Sequence, residues 1–382
     1  MNIATKINPI IDADAHVNPS HDMWADYLPA EYRDMAPKLE HGEDCDYIVF
    51  EGNRRKLNLI SALGGREGKD FKMHGRASDA RSGGWMPKAR LEDMDTDGID
   101  TAVLFGGGPL GTTNHELHMA SFNAYNRWLA DFCNYDNQRL VGVGYVPMRD
   151  VDETIAMIRD CVARGLKAIN IPAFPMSNVG SLNGGDAQTR ALTGDVNSDR
   201  SYADPEFDPL WKAVCDLGIP LTIHLGGRAV RFTEPKFFLS DLLMSKFGMG
   251  EPLAIMIFGG VFQRFPDLKI ASIESGSGWL AFAANYMDET WTKQRHWVNS
   301  VLEHEPSYFM DRNIYASFIH DRVGILTRNM PGAGNIMWSS DYPHSETTFP
   351  HSMAKIEELF EGVPEADKAM ICGGRAKQLF NL

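Results

Sequence analysis

Eight short apolar, β-branched runs alternate with helical stretches along the 382 residues. That alternation predicts an α/β fold, a closed (β/α)8 TIM barrel with long βα insertions. The runs are continuously apolar rather than alternating, which suits parallel strands buried on both faces. No GxGxxG follows the first run, and this weakens the doubly wound open sheet, the next architecture such an alternation allows.

In chain order the expected strands are Pro9–Ala13, Thr101–Phe105, Leu140–Val146, Lys167–Ile171, Pro220–His224, Lys269–Ile273, Ile314–Ser317 and Asn335–Ser339. Helices are expected at Asn114–Asn134, Val151–Arg164, Pro209–Leu217 and Gly278–Asn299, with a helical tail at His351–Phe360 and Glu365–Phe380. Two stretches break the rhythm. Residues 30–90, rich in Gly, Arg, Lys and Asp, separate the first two strands; residues 175–206, dominated by Ser, Asn, Gly and Asp, follow the fourth. Long βα insertions lie on the active-site face of such a barrel, so both are candidate lids or interface arms, with plain surface decoration as the alternative. No internal repeat or low-complexity linker interrupts the chain, and residues 1–382 read as one domain.

Composition narrows the function classes. The apolar run at 253–258 falls far short of the ~20 residues that span a bilayer. The N-terminus shows no basic segment followed by an apolar run and a cleavage site, so the expected address is the cytoplasm. Cys45, Cys133, Cys161, Cys215 and Cys372 are odd in number and form no CxxC pair, which points to reduced thiols rather than a disulfide framework or a zinc ribbon. A net charge of −14 with no basic cluster argues against nucleic acid or an anionic membrane as partner. Local arginines can still hold a small anion whatever the global charge.

In a barrel of this kind, side chains at the C-terminal strand ends converge on the active site. Strand one ends in Asp12, Asp14 and His16, which strand alternation would set on one face, toward the barrel interior. Strand five ends in His224, strand six in Glu274, and strand eight runs into Asp341 and His344. Asp14, His16, His224 and Asp341 form a mixed nitrogen and oxygen set suited to one divalent metal ion: zinc, manganese or iron. A lone Asp-x-His is weak, and a single histidine at a strand end is more often a hydrogen-bonded core residue. The set gains weight because its members fall at the ends of strands one, five and eight, where one ion reaches all of them.

Other residues carry open alternatives. Arg228 and Arg231 follow His224 and could pair with a substrate carboxylate, or be ordinary surface arginines. His320, just after strand seven, could face the pocket. His344 could contact substrate or cap a helix. The glycines at 105–111 lack a following GK[ST] and read as a tight βα turn. His115 and His118 have no HExxH-like companion and are not taken as ligands. Trp85, Trp279 and Trp338 read as packing residues.

Asp-x-His after strand one, a histidine closing strand five and SDYPH after strand eight resemble the amidohydrolase superfamily. More narrowly, DADAHV with WADYLP behind it, GGVFQRFPDLKI leading into IESGSGW, and MWSSDYPHSETTFP resemble the amidohydrolase 2 branch of aminocarboxymuconate-semialdehyde and dihydroxybenzoate decarboxylases. The likeness covers most of the chain. It implies a distorted barrel, a metal held by Asp14, His16, His224 and Asp341, and an oligomer, either of identical chains or with a related barrel. Two positions depart from the branch pattern. Glu274 stands where many relatives have a histidine, and it reads as a carboxylate bracing a ligand, a ligand to a second metal, or a salt-bridged structural residue. Pro19, behind Asn18, stands where many relatives have a glutamate.

Such a site either lowers the pKa of a bound water or acts as a Lewis acid toward a chelating substrate, with Asp341 as a nearby base. The expected function is decarboxylation, hydration or hydrolysis of a small carboxylate, with Asp341, Glu274 and His344 as catalytic candidates. An iron- or manganese-dependent oxygenase is the alternative from another reaction class, and a metal-retaining non-catalytic subunit is the third.

Overall fold

A computed structural model describes residues 9–20, 22–66, 68–176, 194–195, 197–225 and 235–382. Its strands in chain order are β1 (Ile11–Val17), β2 (Lys38–His41), β3 (Asp46–Phe50), β4 (Asn53–Lys56), β5 (Thr101–Gly106), β6 (Leu140–Tyr145), β7 (Ala168–Asn170), β8 (Leu221–His224), β9 (Ile270–Ile273), β10 (Ile314–Phe318) and β11 (Ile336–Trp338). Eight of them form one parallel sheet in the order β1-β5-β6-β7-β8-β9-β10-β11, with helices between, which is the (β/α)8 barrel expected from the alternation. The seam is closed by the chain beyond β11: the N–H of Asp341 donates to the carbonyl of Asp14 at 3.0 Å, and the N–H of His16 to the carbonyl of Tyr342.

Side chains of the strands divide between two cores. Ile11, Ala13, Val103, Phe105, Val141, Val143, Ala168, Ala271, Ile273 and Met337 fill the barrel interior, joined by Ala376, Leu379 and Phe380 of the last helix. Ala15, Val17, Ala102, Leu104, Ile169, Leu221 and Ile336 point outward into the layer under the helices. Each fully buried side chain of this size contributes ~1.5–3 kcal/mol relative to exposure.

Strand one departs from its expected limits: it begins at Ile11 and runs to Val17, and all seven residues are buried. Its pairing with β5 slips between Asp12 and Ala15, a bulge that switches which face the side chains take. Ile11 and Ala13 therefore face the interior before the slip, and Ala15 and Val17 face the outer layer after it. The expectation that Asp12, Asp14 and His16 share one face is corrected by that bulge. Asp12 lies apart, accepting hydrogen bonds from the N–H of Ser340 at 2.8 Å and from its hydroxyl.

The helices largely match their expected spans. His115–Cys133 starts where the Asn114 side chain accepts from the Leu117 N–H at 3.1 Å, and Val151–Ala163 where Asp150 accepts from Glu153 N–H at 2.9 Å, each satisfying an N–H that the helix leaves unpaired. His118 spends its Nδ1 on the Leu110 carbonyl at 2.8 Å. The helix expected to reach Asn299 ends at Gln294, and the tail helix passes through a π turn at Met370–Gly374.

The insertion at 30–90 folds into the antiparallel sheet β2-β3-β4 and a series of short turns. It is fastened to the site side of the barrel. Gly64 N–H donates to the Pro343 carbonyl at 2.8 Å and Ser345 N–H to the Ile60 carbonyl at 2.9 Å, while Asn18 Nδ2 donates to the Ser61 carbonyl at 2.6 Å. A Cβ at Gly64 would stand 3.0 Å from Pro343 Cα, so a larger residue there would have to push Pro343 back by a few tenths of an ångström. Most of the insertion at 175–206 lies outside the described residues. No helix among the described residues is long and apolar enough to cross a membrane.

Candidate metal centre

The ends of β1, β8 and β9 and the chain after β11 bring six titratable side chains into one pocket. His16 Nε2 lies 3.0 Å from Asp341 Oδ1, 3.3 Å from Asp14 Oδ1 and 3.5 Å from Glu274 Oε2. His224 Nε2 lies 3.3 Å from Asp14 Oδ1 and 3.4 Å from Glu274 Oε2. His344 places Nδ1 3.0 Å from Asp341 Oδ1 and stacks on His16 with ring centroids 3.7 Å apart. Asp14, His16, Glu274 and Asp341 are buried; His224 and His344 are partly open.

The backbone is unusual at these positions. Glu274 and Asp341 have φ of 55° and 57°, and Leu225, just after His224, has 62°. Each left-handed non-glycine residue costs on the order of 1 kcal/mol or more. Fixed partners hold all three: Glu274 N–H donates to Ser317 Oγ at 3.0 Å, Asp341 N–H to the Asp14 carbonyl and Leu225 N–H to the Ile273 carbonyl at 3.2 Å.

These donors fit a divalent cation. Asp14 Oδ2, His16 Nε2, Glu274 Oε2 and both Asp341 carboxylate oxygens are buried without a well-directed hydrogen bond, although unpaired buried polar atoms are costly. They face one another at contact distance but not along hydrogen-bond directions. Asp14, His16, His224 and Glu274 form one group able to hold an ion, and His16, Glu274, Asp341 and His344 another, with all ligand atoms of a group within 4.8 Å. The two groups share His16 and Glu274 and so describe neighbouring positions in one pocket.

Electrostatics favour the same reading. Burial raises the Asp14 carboxyl, but the charge of His224 and contacts with His16 outweigh it and bring it down to about 2. Burial lowers His16, yet Asp14, Asp341 and Glu274 hold it well above the ordinary imidazole range. Burial likewise raises Glu274, and Lys246 with the neighbouring imidazoles brings it well below the usual carboxylate range. Lys246 offsets one of the three carboxylates and a protonated His16 another, and a bound cation replaces that proton.

Glu274 thus stands among the donors themselves, and it is also salt-bridged: Lys246 Nζ lies 3.2 Å from Glu274 Oε1 and 3.8 Å from Glu346 Oε2. Sequence reasoning missed Lys246 and Glu346. The available signal was a lysine near the end of the apolar stretch FFLSDLLMSKF. Arg90 was missed too; almost fully buried, it donates to the carbonyls of His16 and Gly83 and lies over the Tyr342 ring at 4.2 Å, tying the end of β1 to the chain beyond β11. His320 is exposed and stands outside the clustered donors. Its neighbour Asp321 turns the chain there, accepting from the N–H groups of Ser277, Gly278 and Gly324. Arg228 and Arg231 lie outside the described residues.

Known proteins share this fold. A 2-amino-3-carboxymuconate-6-semialdehyde decarboxylase from Dictyostelium discoideum is 24% identical over 307 residues, covering 78% of this chain and 77% of that protein. An amidohydrolase crystal structure from Mycobacterium avium subsp. paratuberculosis K-10 superposes with a TM-score of 0.73 at 20% identity, covering 97% of this chain and 99% of the other. A 5-carboxyvanillate decarboxylase from Novosphingobium aromaticivorans, complexed with manganese, has a TM-score of 0.66 at 17% identity, with 99% and 97% covered. The family model described as Amidohydrolase matches residues 11–382, and the chain belongs to that amidohydrolase family.

Proposed function

We propose that the protein is a metal-dependent decarboxylase of a small aromatic or unsaturated carboxylate. The observation that carries the reading is the pair of overlapping donor groups at the strand ends, Asp14, His16, His224 and Glu274 in one and His16, Glu274, Asp341 and His344 in the other, in which Asp14 Oδ2, His16 Nε2, Glu274 Oε2 and both Asp341 oxygens are buried without a directed partner. The similarity to decarboxylases supports the choice of reaction. Asp14, His16, His224 and Asp341 hold the ion in this reading, with Glu274 as a further ligand. A divalent cation bound there supplies Lewis acidity and neutralises a chelating carboxylate.

The chain's own residues then handle the proton. His344 is a partly open imidazole, stacked on His16 and braced by Asp341, a position from which it can give a proton to the substrate carbon. The electron pair of the breaking carbon–carboxylate bond takes that proton, and carbon dioxide leaves. Asp341 holds the imidazole in place through the contact at Nδ1. Lys246 orients Glu274 through its other carboxylate oxygen. Arg228, four residues after His224, is proposed on sequence grounds to meet the substrate carboxylate.

A panel of ortho-hydroxybenzoates and unsaturated carboxylic acids, assayed for carbon dioxide release with manganese, zinc or iron restored, tests the proposal. Release that needs the metal and disappears in Asp341→Asn is expected. Glu274 also favours a second reading: a third carboxylate makes the donor set oxygen-rich, which suits iron or manganese better than zinc and permits an oxygenase of a similar acid. Iron- or manganese-dependent oxygen consumption with no carbon dioxide release would select it.

A further inference from the structure

The helix Pro87–Asp97 follows the 30–90 insertion and turns a charged face inward. Arg90 and Asp97 are buried, and the Asp93 side chain is 14% exposed. The three stand at i, i+3 and i+7, on one face of the helix, where a helix packed against a barrel ordinarily carries apolar residues. Each of them holds the chain beyond β11. The Arg90 guanidinium lies over the Tyr342 ring at 4.2 Å, and the Tyr342 hydroxyl donates to Asp93 Oδ2. Arg81 fixes that carboxylate with hydrogen bonds of 2.8 and 2.6 Å. Asp97 accepts from the Ser352 N–H at 2.9 Å and from its hydroxyl.

These contacts fall where the barrel has no ladder. The parallel sheet begins at β1 and ends at β11, and among the described residues those two strands are not paired. Asp14 and His16 stand on one side of that seam, Asp341 and His344 on the other, so no run of sheet bonds sets their spacing. We propose that Arg90 is the positioning residue that sets it. Arg90 donates to the His16 carbonyl and covers the ring of Tyr342, and the His16 N–H donates to the Tyr342 carbonyl. One guanidinium thus grips both residues of a seam bond, with a third hold on the Gly83 carbonyl at 2.8 Å. Among the described residues its hydrogen bonds go to main-chain carbonyls, a costly setting for a buried cation, when an apolar side chain would fill the same space. The rigid fork of donors explains the choice of arginine, because a lysine ammonium is a point charge that lacks it. Arg90 touches neither ion nor substrate in this reading, which rests on Asp14, His16, His224 and Asp341 as metal ligands.

Manganese binding to the full chain, followed by the electron paramagnetic resonance of free and bound ion, tests the assignment in wild type, Arg90→Lys, Tyr342→Phe and Arg312→Met. Arg312 is a matched control just ahead of β10, at the opposite end of a strand from the clustered donors: it donates to the Phe262 carbonyl and lies over the Tyr308 ring at 5.1 Å. Arg90→Lys should weaken manganese binding roughly ten- to 100-fold and broaden the bound-ion spectrum, while circular dichroism shows a folded chain. Tyr342→Phe keeps the ring and loses the bond to Asp93, so it should weaken binding by less. Arg312→Met should lower the melting temperature and leave the affinity unchanged. Should Arg90→Lys fail to fold, Tyr342→Phe carries the test. If both variants fold and bind manganese with wild-type affinity and spectrum, Arg90 is a structural residue only and the proposal falls. It falls equally if Arg312→Met weakens binding as much, since the loss then follows general destabilisation. A wild type that binds no divalent ion overturns the metal reading and the proposal with it, an outcome distinct from a wild type and variants that bind equally tightly.

Discussion

Asp341 donates its backbone N–H to the carbonyl of Asp14 at 3.0 Å, so the bond that closes the barrel seam also sets two of the clustered carboxylates side by side. The left-handed φ of 57° at Asp341 aims its side chain back into the pocket. Asparagine tolerates that conformation better than other non-glycine residues, which makes Asp341→Asn a substitution of charge rather than of backbone. Metal retained after dialysis should fall at least roughly tenfold, and turnover by 100-fold or more if Asp341 also braces the proton donor. Elemental analysis and carbon dioxide release read the two effects separately, and full activity in the variant would remove Asp341 from the site.

Asp12 gives a pH dependence of defined sign. Burial lifts its carboxyl to about 7 against the hydrogen bonds from Ser340, above an ordinary value of 3.8. A folded-state pKa above the unfolded one means stability present at low pH and lost as pH rises from about 4 through about 7. At ~1.4 kcal/mol per unit, the loss amounts to a few kcal/mol. Asp12→Asn mimics the neutral acid and still accepts from Ser340. Its melting temperature should gain on wild type between pH 5 and pH 7 and hold that gain above; parallel curves would sink the argument.

The eight strands were legible because burial on both faces leaves a continuous apolar signature, and the family motifs located His16, His224 and Asp341 at strand ends. Strand one was misplaced for the opposite reason. Its expected span stopped at Ala13, where the polar Asp14 and His16 interrupt the apolar run, yet both are buried within the strand. Strand alternation then failed at the bulge, because a register slip is set by pairing with β5 and by the seam bonds to the chain after β11, neither of which is local. Lys246 and Arg90 were invisible for a similar reason: each reaches its partner through tertiary packing, 28 residues away for Glu274 and 74 for His16.

Thiol chemistry follows from burial. Cys133, Cys161 and Cys372 are each pushed up to about 12, chiefly by burial, from an ordinary 9.0. Because the folded pKa lies above the unfolded one, their contribution to stability is complete below about pH 9 and lost as pH rises through about 12. At pH 8 the native thiolate fraction is on the order of 1 in 10,000, and the thiolate is the nucleophile. A disulfide reagent should therefore leave these three unmodified in the native protein and label them in denaturant. Rapid native labelling of Cys133, mapped by peptide mass, would contradict its position against the helix layer.

Removing the metal should cost stability, because Asp14, Glu274 and Asp341 then face one another across a buried pocket with only imidazoles and Lys246 to offset them. A ligand that binds only the folded state stabilises it by about 2.7 kcal/mol at 100 times its dissociation constant. Chelator-treated protein should melt several degrees lower, and manganese should restore the loss in a concentration-dependent way. His224 is the discriminating position. It is partly open and supplies no core packing comparable to the interior of the barrel, so His224→Ala should keep the fold, with the metal-free melting temperature lowered only by the loss of the contact with Asp14. What it should lose is the rise on adding manganese. An equal rise in wild type and His224→Ala would show that the ion binds elsewhere and that the six side chains are a buried polar network of another kind.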